Sequence, residues 1–182
     1  MTMSSTPHQP VMLMLGDSLI AGCEWPHLLP DDQVIHNLGV PGLTTFELYQ
    51  SVQHLQRYYP RADILAVMIG TNDLLMGDGS FPQVVQQILE ILVRHYPKAR
   101  CFVHSLLPMQ VPYVSQKTIQ ASNDTLRAAT TAAGCSYVNL YEKFIHAPDG
   151  LFQMDGVHLT YLAYQLWAQI LGKQIAISAN NE

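Results

Sequence analysis

A serine hydroxyl becomes a useful nucleophile when a neighbouring imidazole can take its proton, and the imidazole works best when a carboxylate holds its other nitrogen. The 182-residue sequence offers these three groups as Ser18, in Gly16-Asp17-Ser18, and as Asp155 and His158, in Asp155-Gly156-Val157-His158. With a glycine between carboxylate and imidazole, one tight turn can bring the pair together. Attack on an acyl carbonyl also creates an oxyanion, which needs hydrogen-bond donors fixed beforehand. The Ser18 and Gly39 backbone N–H groups and the Asn72 side-chain amide, in Gly70-Thr71-Asn72-Asp73, are candidates for that hole. The chemistry of this set is acyl transfer through an acyl-serine, with no cofactor and no metal.

Each cluster alone has an ordinary structural explanation. Asp and Ser after a strand cap helices, Gly39 could serve a position of positive φ, and Asn72-Asp73 and Asp155-Gly156 are common turn pairs. Asp17 and Asp73 are read as braces for their loops through backbone hydrogen bonds, outside the catalytic set. What separates the catalytic reading from these is where the clusters fall among the elements.

Apolar runs at 11–15, 64–69 and 101–103, and shorter mixed runs at 33–38 and 137–140, predict strands. Helical spacing predicts one helix over 44–58, with Thr44 and Glu47 as a capping box, and another opened by Ser80 with Gln83. A third over 118–133 stops at Gly134, and a closing helix over 160–175 is expected to bury Leu162, Leu166, Trp167, Ile170 and Leu171. Strands alternating with helices imply an α/β fold, a parallel sheet sandwiched between helices. Ligands bind such sheets outside the carboxyl ends of the strands, and Ser18, Gly39 and Asn72 each follow a separate predicted strand. His158 comes from a later loop that only folding can bring near Ser18.

Gly16-Asp17-Ser18 with Gly22, the isolated Gly39, Gly70-Thr71-Asn72-Asp73, and Asp155-Gly156-Val157-His158 resemble, in order, the sequence blocks of the SGNH (GDSL) hydrolase family. The resemblance runs from near residue 11 to residue 160. It implies a flavodoxin-like three-layer α/β/α sandwich with a mostly parallel five-stranded sheet. It also implies Ser18 as nucleophile and oxyanion donor, Gly39 and Asn72 as further oxyanion donors, His158 as base and Asp155 as the acid that orients it. Leu159 stands where many relatives have proline, which bears on little beyond the entry of the last helix. A general α/β-hydrolase is the weaker alternative, because the G-x-S-x-G elbow is absent around Ser18.

Substrates implied by the resemblance are carboxylic esters, with acetylhydrolases of platelet-activating-factor type, carbohydrate acetylesterases and thioesterase/lysophospholipases all represented. Connections are short, so a shallow site favouring acetyl to butyryl groups is expected, with Leu74, Leu75, Met76 and Leu107 to Val111 as candidate walls. Ordinary packing is the competing explanation for those residues. Thioesterase or lysophospholipase action, and acyl transfer to a sugar or alcohol, are the enzymatic alternatives. A non-catalytic binding module is disfavoured because no member of the set has been replaced.

Length and composition suit one domain over 11–178 after a flexible tail at 1–10. A hydrophobic content of 48% against 13% charged residues argues against disorder. The net charge of −5 argues against nucleic acid and acidic membrane as partners; the partner that the resemblance implies is a small-molecule acyl ester. The sequence does not fix an oligomeric state. Cys23, Cys101 and Cys135 lack a CxxC pairing and are expected to be buried thiols, and the histidines other than His158 lack metal-ligand spacing. With no basic residue before a short apolar run at 11–15, neither a signal peptide nor a membrane span is expected, and a cytoplasmic location is the default.

Overall fold

The structure, a computed structural model, describes residues 9–179. The tail expected over residues 1–10 therefore lies outside the described residues except for Gln9 and Pro10. Both of these are held, the Gln9 carbonyl by the Arg61 guanidinium at 2.9 Å and the Pro10 carbonyl by the Val34 N–H at 2.8 Å.

Five strands form one sheet: β1 (Val11–Gly16), β2 (Val34–Gly39), β3 (Ile64–Met68), β4 (Arg100–His104) and β5 (Ser136–Val138). Every pairing is parallel and the spatial order is β2-β1-β3-β4-β5, so the expected mostly parallel sheet is parallel throughout. Successive side chains of a strand point to opposite faces, and here both faces are covered. Leu13, Leu15, Leu65 and Val67 pack with Leu48, Val52, Ile88 and Leu126 from α2 (Thr45–Val52), α5 (Phe81–His95) and α6 (Gln116–Ala132). On the other face Met12, Met14, Ala66 and Met68 meet Leu19, Phe144 and Trp167, from α1 (Ser18–Ala21), α7 (Leu140–Ile145) and α8 (Tyr161–Ala179). The result is the three-layer α/β/α sandwich. Because the chain leaves β1 first for β2 and then returns to β3 on the other side, the sheet has its switch point at the end of β1, where crevices form in such folds.

Several local expectations change. The helix read over 44–58 is two, α2 and α3 (Leu55–Tyr58), although the Thr44–Glu47 box is present, with the Thr44 N–H on Glu47 at 2.8 Å. Ser80 precedes α5 without a side-chain cap bond: its backbone is already helical, with φ −88° and ψ −6°, and its side chain is turned to Asp78, to which its hydroxyl and N–H donate at 2.6 and 2.7 Å. The last strand ends at Val138 rather than residue 140, since the Asn139 side chain accepts from the Glu142 N–H and starts α7. At the end of α6, Gly134 with φ +73° takes the position after the cap, its N–H bonded to Thr131 and that of Cys135 to Thr130.

The closing helix α8 is rotated from the face expected for it. Its buried stripe is Ala163, Tyr164, Trp167, Ala168 and Leu171, while Leu162 is 50% exposed and Leu166 and Ile170 are only partly covered. Trp167 sets this rotation: its ring lies 5.0 Å from Trp25 and 5.3 Å from His104, edge-on, and is stacked with Tyr164. Among the described residues no helix is long and apolar enough to cross a membrane.

Candidate active site

At the end of β1 the chain turns at once into α1, with Asp17 as its cap: the Leu19 N–H donates to Asp17 Oδ1 at 2.9 Å. Ser18 is thereby the first residue of the helix, where its own N–H has no intrahelical partner. A loop after α7 brings Asp155 and His158 to the same rim from 140 residues away in sequence, and His158 Nε2 stands 3.1 Å from Ser18 Oγ. His158 Nδ1 is 2.6 Å from Asp155 Oδ2.

The other carboxylate oxygen, Oδ1, accepts the Val157 and His158 N–H groups at 2.9 Å each. These hydrogen bonds, that of the imidazole foremost, pull the Asp155 carboxyl down to about 2. An ionised carboxylate can only accept, so Nδ1 must be the donor, leaving the Nε2 lone pair facing the serine hydroxyl. Both side chains are accessible, His158 at 44% and Asp155 at 49%.

The turn between them depends on Gly156. Its φ is +72°, and a Cβ there would come within 2.5 Å of the Gln110 carbonyl oxygen. The Gln110 N–H in turn donates to the Gly156 carbonyl at 2.7 Å, so the loop after β4 holds the Asp155–His158 turn. Leu159 is buried, and Thr160 enters α8 with its hydroxyl on the Gly150 carbonyl.

Gly39 ends β2 directly opposite Gly16, and a Cβ on it would sit 2.3 Å from the Ala21 nitrogen, so only glycine lets the strand end approach α1 this closely. Its N–H donates to Asn37 Oδ1 at 3.0 Å, which means one expected oxyanion donor is occupied by its own turn in this state. Asn72 lies at the start of α4 (Thr71–Leu75), where one amide hydrogen is held by the Leu43 carbonyl at 2.9 Å and the second remains for a ligand. Ser18, Gly39 and Asn72 thus follow three adjacent strands on one rim.

Beneath this rim Asp73 accepts the Thr45 N–H and, at 2.7 Å, the Thr45 hydroxyl, joining α4 to the start of α2. Asp17 is fully buried, and burial pushes its carboxyl up to about 6; the Asp73 charge adds to this, while the Leu19 N–H and the Thr71 hydroxyl oppose it. Both aspartates brace loops, as their place in the sequence suggested.

Most of the candidate acyl walls take part in core packing. Leu74, Leu107 and Met109 are buried in the two cores, Leu75 and Val111 pack against one of them, Pro108 and Gln110 belong to the loop under Gly156, and Met76 is 67% exposed. Cys23 is buried, and burial with the Glu24 charge pushes its thiol up to about 11, so it is no nucleophile near neutrality. Among the described residues no three His, Cys, Asp or Glu side chains are placed to hold a metal.

Three supports were not read from the sequence. Asn37 donates to the Ile20 and Cys23 carbonyls at 3.1 and 3.0 Å while accepting from Gly39, and its position two before a glycine is the signal that could have marked it. The Leu43 carbonyl and Thr45 carry no local signal, since their partners Asn72 and Asp73 are 29 and 28 residues away.

Comparison with known proteins places these features in a family. The profile described as the GDSL-like lipase/acylhydrolase family matches residues 14–166. Platelet-activating factor acetylhydrolase IB subunit alpha1 of Rattus norvegicus is 25% identical over 170 residues, 88% of this chain and 72% of its own. Among solved structures, a lipase/acylhydrolase from Enterococcus faecalis superposes with a TM-score of 0.77 at 19% identity, covering 91% of this chain and 95% of that one. A GDSL-like lipase from Bacteroides thetaiotaomicron gives 0.71 at 19% identity, covering 93% and 89%. At these identities the two structures establish a shared fold.

Proposed function

The chain belongs to the GDSL-like lipase/acylhydrolase family, and from that premise we propose that it is a serine esterase in which Ser18, His158 and Asp155 form the catalytic triad. One observation carries the reading: an unbroken line of contacts, 3.1 Å from Ser18 Oγ to His158 Nε2 and 2.6 Å from Nδ1 to Asp155. Ser18 Oγ attacks the ester carbonyl carbon as its proton passes to His158 Nε2. The carbonyl oxygen becomes an oxyanion received by the Ser18 N–H, the Asn72 amide and the Gly39 N–H, the last turning from Asn37 Oδ1 to the stronger acceptor. Collapse breaks the ester C–O bond, and the leaving alkoxide takes the proton from His158. Water then attacks the acyl-serine, giving its proton to Nε2. The carboxylic acid leaves and the proton returns to Ser18 Oγ.

Hydrolysis is favoured over transfer to another alcohol by the exposure of His158 and Asp155, which leaves the base open to water. The rat relative is named for an acetylhydrolase, and acetyl esters are accordingly the first substrates to offer. The test is a panel of p-nitrophenyl esters, acyl-thioesters and O-acetylated sugars, run beside labelling with a fluorophosphonate. Turnover of oxygen esters with label on Ser18 is expected. A folded protein that neither turns over any ester nor takes label would remove the reading, and faster turnover of thioesters would reassign the substrate.

A further inference from the structure

A cavity of about 350 Å³ lies under the connection from β2 to α2, beside the rim but outside the line of Ser18, His158 and Asp155. Strand β2 is the edge of the sheet, and α2 and α3 cover it incompletely. The walls are apolar, formed chiefly by Leu15, Leu38, Leu43, Leu48, Val52 and Tyr59. No charged side chain lines it. Of its three side chains with polar groups, Asn37 is engaged with Ile20, Cys23 and Gly39, the Ser51 hydroxyl with the Glu47 carbonyl at 2.9 Å, and Tyr59 adds a single phenol. Such a space offers no charge to a carboxylate or a cationic headgroup and few hydrogen bonds to a sugar. It suits a hydrocarbon.

Two contacts join it to the site. Gly39, whose N–H is an oxyanion donor in the proposed mechanism, is part of its lining, and Leu43, also in its lining, holds the Asn72 amide. The cavity therefore begins where the carbonyl oxygen of a bound ester sits. It lies on the sheet face of Leu15 and Leu48, which Val157 also joins, whereas Leu159 and α8, the chain that follows His158, pack on the opposite face. An ester carbonyl carries two substituents, and the alcohol side must lie at His158 to receive its proton. The acyl side is then the one directed to this cavity.

We infer that the space between β2 and α2 is the acyl-chain subsite, taking a linear saturated chain. The inference rests on the esterase reading and gives it a substrate class. With a methylene filling roughly the volume of a water, ~30 Å³, and imperfect filling, the cavity holds about six to eight carbons. This moves the preferred substrate from the acetyl to butyryl range to hexanoyl and octanoyl esters. Each fully buried methylene raises kcat/KM by up to about fourfold, and the gain ends where the cavity does.

The experiment measures kcat/KM for monomeric p-nitrophenyl esters from acetate to dodecanoate, in the wild type and in two rim variants. Ser51→Trp fills the cavity from the exposed side of α2, and Val40→Glu puts a charge at its lip, where Val40 is 49% exposed. The expected octanoate-to-acetate ratio is above about 10 in the wild type and falls at least about tenfold in each variant, with circular dichroism unchanged. A flat or falling series in a protein that hydrolyses acetate and labels at Ser18 overturns the subsite and leaves the esterase standing. A rising series that neither folded variant alters also overturns it. Absence of all turnover and labelling overturns both.

Discussion

Ser18 and His158 are ordinary residue types made useful by what surrounds them, and substitutions at each should separate chemistry from folding. Ser18→Ala or His158→Ala should lower kcat by about 10⁴-fold or more, the remainder coming from binding and the oxyanion hole, with no change in circular dichroism. A folded Ser18→Ala protein with near wild-type kcat would sink the mechanism. Asp155→Asn should also be severe, because an amide at that position can donate to Nδ1 and so favour the wrong imidazole tautomer. Asn72 binds the oxyanion more tightly than the ground-state carbonyl in this mechanism. Asn72→Ala should therefore reduce kcat by roughly 10²-fold with a smaller effect on KM; a change confined to KM would make it a substrate-binding residue. The meeting of Ser18, Asp155 and His158, and the placing of Gly39 and Asn72 on the same rim, were legible in the sequence because these types have few other reasons to occur together in that order. The engagement of the Gly39 N–H by Asn37 was not legible, since it depends on how a turn closes.

At the scale of elements, what could be read from sequence was what repeats. The apolar strands β1 and β3 and the long helices α5, α6 and α8 carry their patterns over enough residues to declare them. The short helices α1, α4 and α7, of 4, 5 and 6 residues, cannot, and they are the elements that aim Ser18, Asn72 and the chain after β5. Ser80 misled because its side chain turns to Asp78 instead of the helix, and α8 misled because the packing of Tyr164 and Trp167 against Trp25 brings Ala163, Tyr164 and Ala168 inward in place of Leu162, Leu166 and Ile170. The turn carrying His158 is positioned in the same non-periodic way, by Gly156 pressed against the Gln110 carbonyl. Gly156→Ala adds a Cβ where there is no room and forces a non-glycine residue to a φ of +72°. It should cost roughly 1–3 kcal/mol of stability and reduce kcat/KM, as the turn swings His158 from Ser18. Denaturation midpoints and ester kinetics on the purified variant check this, and wild-type values for both would mean that the turn does not depend on this approach.

For the molecule as a whole, the cost of assembling the rim falls on one carboxyl group. Asp17 links the end of β1 to α1, and it is fully buried with an Oδ2 that makes no well-aligned hydrogen bond among the described residues. Burial raises it from 3.8 to about 6, so between those values the folded protein binds a proton that the unfolded chain releases. Its contribution to stability is complete below pH 3.8 and is lost as pH rises through 6, about 3 kcal/mol in all. Asp155 acts in the opposite sense and in another window: its lowered carboxyl favours the fold above pH 3.8 and ceases to as pH falls towards 2. The difference between wild type and Asp17→Asn separates the two, because Asp155 is present in both proteins. Asparagine keeps an oxygen for the Leu19 N–H and cannot ionise. Chemical denaturation from pH 3.5 to 8 should show Asp17→Asn gaining on the wild type as pH rises, with most of the gain between pH 4 and 6 and a plateau at about 3 kcal/mol above its low-pH offset. A difference independent of pH would show that Asp17 titrates alike in the folded and unfolded chain, and its burial would then carry no electrostatic cost.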